Sequence, residues 1–242
     1  LDPDADFTEN ESCTVTVLAS QVTDVDADDP PNTMAADYEF TFTVEGAAPV
    51  DTPAVINEIL ADPAAGLAGD ANGDGTRDFS DDEFVEIDID SALPLDMSGL
   101  TLSDGAGVRH TFPSGTTVPA MCSIVVFGGE TPTGPFGNAV VQTASSGALG
   151  LNNSGDSVTL NNGSSDVVSE SYGGEGGDNQ SLTRDPDVSG AFAKHSVASG
   201  SGGALFSPGT LVGGASFSGC QLPAPELVVN EIMQNPAAVG DS

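Results

Sequence analysis

Apolar and polar residues alternate at every second position in short runs along this chain, and no stretch sustains a 3.6-residue period. "CTVTVLA" (13–19) sets Val15 and Val17 on one face with Cys13, and "YEFTFTVEG" (38–46) sets Tyr38, Phe40, Phe42 and Val44 against polar partners. "FVEIDID" (84–90) puts Val85, Ile87 and Ile89 opposite Glu86, Asp88 and Asp90. "SIVVFGG" reads as a fully buried strand, and "DSVTLNNG" as a strand ending in a tight turn at Asn162-Gly163. Gly and Pro punctuate the intervals at about the eight-to-twelve-residue spacing of an antiparallel sandwich. The expected class is therefore all-β.

Charge narrows the partners. The 242 residues carry 37 acidic against 4 basic side chains, a formal net charge of −33. Binding to a nucleic-acid backbone needs Lys and Arg to displace counterions, so no nucleic-acid partner is expected. An anionic membrane surface repels such a chain, and no run of 18 apolar residues exists to insert as a helix. The acids suit cations and salty water, or simple solvation of a secreted protein. Low Lys, 30 Gly and abundant Ser, Thr and Asn fit an extracellular β protein. The chain opens on "LDPDADF", without Met, as an excised or mature piece does.

Organisation along the chain comes from punctuation and from one repeat. "GAAPVDTP" (46–53) reads as a linker, and after about residue 200 the chain turns Gly/Ser-rich and then Pro-punctuated. "VINEILADPAA" (55–65) returns as "VVNEIMQNPAA" (228–238), with seven identities in eleven positions. That is a module restarting. Residues 1–45 hold two or three strands, too few to bury a core alone. Partial β modules are thus expected at both ends. Their exposed strand edges suit completion by neighbouring copies through strand addition, and truncation explains the ends equally well.

One loop carries chemistry. "DANGDGTRDFSD" places Asp70, Asn72, Asp74, Gly75, Thr76, Asp78 and Asp81 at positions 1, 3, 5, 6, 7, 9 and 12 of the calcium-loop pattern. Asp70, Asn72, Asp74, Asp78 and Asp81 offer side-chain oxygens, Thr76 offers its carbonyl, and Gly75 takes the sharp turn. Calcium prefers such a set of hard oxygen ligands, whereas Mg²⁺ demands a stricter octahedron. The acids of "TDVDADDPPN" (23–32) are read as a solvated turn stopped by Pro30-Pro31, with a second cation site as the alternative. No nucleophile motif accompanies His110 or His195, and each is read as a strand histidine with a structural hydrogen bond. The carboxylates show no apolar surroundings in sequence that call for a raised pKa and a general-acid role. Three cysteines leave one over: Cys122 and Cys220 flank the second half of the central module and suit a disulfide that clamps the tail, leaving Cys13 unpaired.

Taken in order, "VINEILADP", "DEFVEI", "LDMSGLTLSDGAGVRHTFPSGTTVP", "SIVVFGG", "GDSVTL" and "QSLTRDPD…GAFAKHSV…ALFSPGT" resemble a bacterial lamin-tail domain over about residues 54–212. The resemblance implies an immunoglobulin-like β-sandwich. It also implies that the acidic insert is a dockerin-like calcium loop. Residues 1–45 resemble the closing strands of a bacterial Ig-like domain, whose earlier strands would supply the partner of Cys13, and 228–242 resemble the opening of a second lamin-tail domain. The domains expected are thus 1–45, a linker at 46–53, the lamin-tail module with its Gly/Ser-rich tail at 54–220, and a linker with a restarting strand at 221–242. The function expected is a non-catalytic, calcium-binding structural, adhesion or filament-assembly module of a secreted or surface-attached protein. The alternative is an accessory segment of an extracellular nuclease whose catalytic domain lies elsewhere.

Overall fold

The computed structural model describes residues 11–23, 34–43 and 53–221. The repeat at 228–238, the acids at 24–33 and all of the 46–53 linker but Pro53 lie outside them. Contacts divide the chain into two compact units, Leu1–Asp51 and Thr52–Ser242. The described part of the first is an antiparallel ribbon of β1 (Ser12–Val17) and β2 (Tyr38–Thr43). Cys13, Val15 and Val17 fall on its half-buried side, opposite Phe42, Phe40 and Tyr38 across the ladder.

The second unit is an all-β sandwich, with no α-helix among the described residues. Its strands begin with β3 (Ala54–Leu60), β4 (Phe84–Ile89), β5 (Leu95–Asp96), β6 (Thr101–Asp104) and β7 (Gly107–Thr111). They continue with β8 (Thr117–Val118), β9 (Ser123–Phe127), β10 (Val140–Thr143), β11 (Asp156–Asn161) and β12 (Asp166–Tyr172). Two more, β13 (Leu182–Asp185) and β14 (Ala191–Lys194), complete the unit. One sheet runs β10-β9-β4-β3-β13-β14, the other β12-β11-β6-β7, and β5 pairs with β8. All pairings are antiparallel except β10 on β9. The β11–β12 hairpin turns through four residues rather than two, because Asn162 accepts the backbone N–H groups of both Ser164 and Ser165 through its side-chain oxygen.

Between the sheets lie Ile56, Ile59, Val85, Ile87, Ile89, Leu102, Phe112, Ile124, Val126, Val158 and Leu160. This is the face that the alternation of "FVEIDID" marks as apolar. The opposite face of the same strand is not exposed, as the alternation implied: all six residues of β4 are buried, with Glu86 and Asp88 at 0% and 2% exposure. A strap, residues 199–221, covers them. Phe206 joins Leu60, Phe84, Val125 and Phe127 in a second apolar cluster on that face.

Burying carboxylates without partners costs several kcal/mol each, so most of them must be satisfied. The strap does much of this. Glu58 accepts the Ser207 N–H at 2.9 Å and the hydroxyls of Ser207 and Ser181 at 2.8 and 2.5 Å. Glu86 accepts the Gly209 N–H, and Asp187 the Val212 N–H. A bulge helps: the β3–β4 register skips Asn57, pairing Ile56 with Ile87 and Glu58 with Glu86. Asn57 and Glu58, though consecutive, therefore both bond toward the covered face; Asn57 donates to Glu86 and Asp187 and accepts from the Val188 N–H.

The strap ends in a disulfide between Cys122 and Cys220, 98 residues apart, and Cys13 is a free thiol. Gly219 makes the approach to β9 possible, since a Cβ there would lie 1.6 Å from the Ala120 carbonyl oxygen. The tail composition alone calls for this covalent tie; the acceptors under the strap form a second hold that the composition does not display.

Two measurements follow. Non-reducing peptide mapping is expected to return a Cys122–Cys220 peptide and an unpaired Cys13, and a Cys13–Cys122 or Cys13–Cys220 peptide would contradict the structure. Closing a loop of 98 residues contributes on the order of 4–5 kcal/mol in the chain-entropy model. The second measurement is stability against pH. Burial pushes the carboxyls of Glu58, Glu86, Asp88 and Asp187 up, and that of Glu83, which accepts the Leu151 N–H, up to about 8. In the unfolded chain these groups titrate near 4, so between about pH 4 and their folded values the native state holds more protons. Stability is therefore fully present below about pH 4 as far as these groups are concerned, and is lost as pH rises through the folded values. The urea midpoint is expected to fall from about pH 5.5 to about pH 8.5, and Glu83→Gln to flatten the upper part of that fall; a midpoint that rises over this range would refute the burial of these acids.

Candidate metal centre

The acidic loop connects β3 to β4, entering through Asp70 and leaving through Glu83. Asp and Asn side chains fold such loops by accepting backbone N–H groups a few residues on, and here they do so in series, two to five residues apart. Asn72 accepts from the Asp74 N–H at 3.1 Å, Asp74 from Thr76 at 2.7 Å, and Asp70 from Gly75 at 3.0 Å. Asp78 accepts from Ser80 at 2.8 Å and Asp81 at 3.3 Å. Gly75 sits at φ +95°, the left-handed turn that position 6 of the pattern requires. Arg77, the one basic side chain in the loop, donates outward to the carbonyls of Pro63 and Ala64.

The sequence pattern assigns no role to Asp82. The structure makes it the loop's internal post: wholly buried, it accepts the N–H groups of Ala71, Asn72 and Asp78 at 2.8, 3.0 and 2.7 Å. With Asp82 turned inward, Asp81 is left facing Asp78 and Asp74. Partial burial first, then those two like charges, push the Asp81 carboxyl up.

A further acid arrives from another part of the chain. Residues 128–130 follow β9 and run against the loop: Gly128 donates to the Glu83 carbonyl at 2.8 Å and Gly129 to that of Asp81 at 3.3 Å. Next in line, Glu130 meets Asp74 carboxyl to carboxyl. That bond holds the Asp74 carboxyl below its ordinary range and pushes that of Glu130 up. The only sequence signal for this meeting is the pair of glycines before Glu130 in "FGGE". Thr133 ties the same segment to the loop, its N–H donating to the Asn72 carbonyl at 2.8 Å and its hydroxyl to that of Gly73.

The six expected ligands Asp70, Asn72, Asp74, Thr76, Asp78 and Asp81 thus lie on one short loop. Among the described residues, no three His, Cys, Asp or Glu side chains converge closely enough to hold a metal ion by themselves. The fit to a cation therefore rests on the oxygens the loop leaves over. Oδ1 of Asp70 is buried and without a hydrogen bond, and Asp74 and Glu130 press two carboxyls together. A hard cation with several oxygen ligands suits that surplus of acceptors.

The histidines are internal. His110 on β7 is buried, with Nε2 2.7 Å from the Gln142 side-chain oxygen and Nδ1 accepting the Ser145 N–H; burial holds its pKa down. His195 is not on a strand but opens the turn after β14, with Nδ1 2.9 Å from the Ala204 carbonyl and Nε2 2.9 Å from the Ser207 hydroxyl. Ser207 stands between His195 and Glu58, so the acid bonds the serine and not the far nitrogen of the imidazole, unlike a catalytic triad. The expectation that the carboxylates lack apolar surroundings is overturned for Glu58, Glu83, Glu86 and Asp88, which are buried on or beside the sheet.

Residues 48–174 match the family model of the lamin tail domain, a structural, non-catalytic immunoglobulin-like domain, while no curated protein matches the chain. The sandwich runs on past that match, because β13 pairs with β3 inside the six-stranded sheet. With the family model spanning more than half of its length, this chain belongs to the lamin tail domain family.

Proposed function

We propose that the chain is a calcium-stabilised, non-catalytic β module of a secreted or surface-attached bacterial multidomain protein, serving as a spacer, adhesion or assembly unit. The observation that carries this reading is the loop at 70–82, whose backbone is folded by its own acids while Asp70 keeps a buried oxygen unpartnered. Asp70, Asn72, Asp74, Asp78 and Asp81 supply side-chain oxygens and Thr76 its carbonyl, with Glu130 as an added carboxylate. A bound cation relieves the crowding of the Asp74 and Glu130 carboxyls. The disulfide supports an oxidising compartment, and the net charge of −33 supports a cation-rich one. For assembly, the β1–β2 ribbon suits strand addition by neighbouring copies.

A ligand that binds only the folded state adds RT ln(1 + [L]/Kd), about 2.7 kcal/mol at a hundredfold excess over Kd. Thermal melts in millimolar calcium and in chelator are expected to differ by several degrees. Asp70→Ala with Asp74→Ala abolishes the difference, and Glu130→Gln reduces it. Identical wild-type melts would sink the calcium assignment. The purified chain is also expected to leave nucleic acid and phosphoesters intact. Metal-dependent hydrolysis that follows the protein through purification and disappears with Asp74→Ala would overturn the non-catalytic reading.

A further inference from the structure

Beside the foot of the strap lies a cavity of about 220 Å³. Its walls are largely apolar, formed by Met121, Val188, Leu211 and Phe217, and its acids are Asp88, Asp90 and Asp187. Asp187 is engaged by the Asn57 amide and the Val212 N–H. Asp88 is not engaged at all. It is 2% exposed, and neither of its carboxylate oxygens has a hydrogen-bond partner. Glu58 and Glu86, which share the covered face, are both bonded to the strap, so Asp88 is the exception there.

A buried, unpartnered carboxylate calls for a positive partner. This stretch of chain supplies none. Its four basic side chains are all committed elsewhere: Arg77 to the carbonyls of Pro63 and Ala64, Arg109 to Asp104, Arg184 to Glu170 and Lys194 to Asp178. A bare divalent ion fits poorly, because it needs six or more oxygen ligands, most of this wall is hydrocarbon, and its three acids do not converge on one point. A cation carried on an aliphatic stem fits both features, the stem against Leu211, Val188 and Met121 and the head on Asp88.

We propose that this cavity is a docking site for a basic side chain, lysine or arginine, presented by a partner polypeptide and paired with Asp88. Asp90, exposed at the cavity, adds to the attraction. Burial, then Asp187, Glu58 and Asp90, push the Asp88 carboxyl up, and a cation placed beside it acts in the opposite direction. The site is independent of the calcium loop.

Methyl NMR of the full 242-residue chain tests this, reading Met121, Val188 and Leu211. Nα-acetyl-lysine amide, Nα-acetyl-arginine amide and n-butylammonium are the probes, with n-butanol (stem without charge) and calcium (charge without stem) as comparisons. Saturable shifts of these methyls with the lysine or arginine probe and with n-butylammonium, and none with n-butanol or calcium, are expected. The two amino-acid probes report which basic side chain is preferred. Asp88→Asn is expected to weaken binding at least roughly tenfold, as removal of a buried charge partner does. Asp90→Asn, at an exposed position, weakens it by roughly twofold. Equal shifts from n-butanol and n-butylammonium would reduce the cavity to an apolar void, shifts from calcium would make it a metal site, and silence from every cationic probe would remove the proposal.

Discussion

The placement of Glu58 and Glu86 on the outer face of the six-stranded sheet is the constraint on which the rest of this sandwich depends. Two carboxylates on adjacent strands at the middle of a sheet stay solvated on an open face, or they demand donors. Here the face is closed, and three of the five donors, the N–H groups of Ser207 and Gly209 and the Ser207 hydroxyl, come from a segment with little regular structure of its own. Backbone N–H groups are strong, obligatory donors, so an irregular strap that offers them to buried carboxylates satisfies both sides at once. This explains how a Gly/Ser-rich segment lies down in a fixed course. It contributes acceptor-seeking backbone and a few anchors, Phe206 and Val212 among them, and the sheet contributes the charges.

The same arrangement orders the loop at 70–82 by the opposite logic. There the acids fold their own backbone, each taking N–H groups close by in sequence, and Asp82 alone turns inward as a post. Because the local bonds use one carboxylate oxygen of Asp70 and one of Asp74, the second oxygens of those two acids are left over on the loop. Glu130 joins them because two glycines let the chain after β9 run along the loop. The loop and the strap thus show two fates of a carboxylate in one fold, one local and one long-range.

Much of this was legible in the sequence, and what was not has a common cause. Period-two alternation gave the class and correctly marked Val85, Ile87 and Ile89 as core, because inter-sheet burial acts on one face at a time. It misjudged Glu86 and Asp88, since alternation reports what faces the core and is silent on what a distant segment lays over the other face. The pairing of Cys122 with Cys220 could be read from the composition between them. The bulge at Asn57 could not, because it shifts a register that only the partner strand defines. Glu130 and Asp82 were missed for similar reasons: the one lies far off in sequence, and the other sits one place beyond the pattern's last ligand. His195 sits on a turn because Ala204 and Ser207, both within the strap, hold its ring.

The disulfide also decides how the module bears load. Cys122 and Cys220 bound a covalent loop of 98 residues that contains β9 to β14 and all of the strap's acid-bonded positions. Tension reaching the module along the chain beyond Cys220 crosses the bridge to Cys122 and continues along the backbone toward β8, ahead of β9. The strap and the strands inside the loop lie off the force path. Stretching to rupture can pay out only the chain on the other side of the bridge, β3 to β8, while the slack inside the loop stays hidden for as long as the bond remains oxidised.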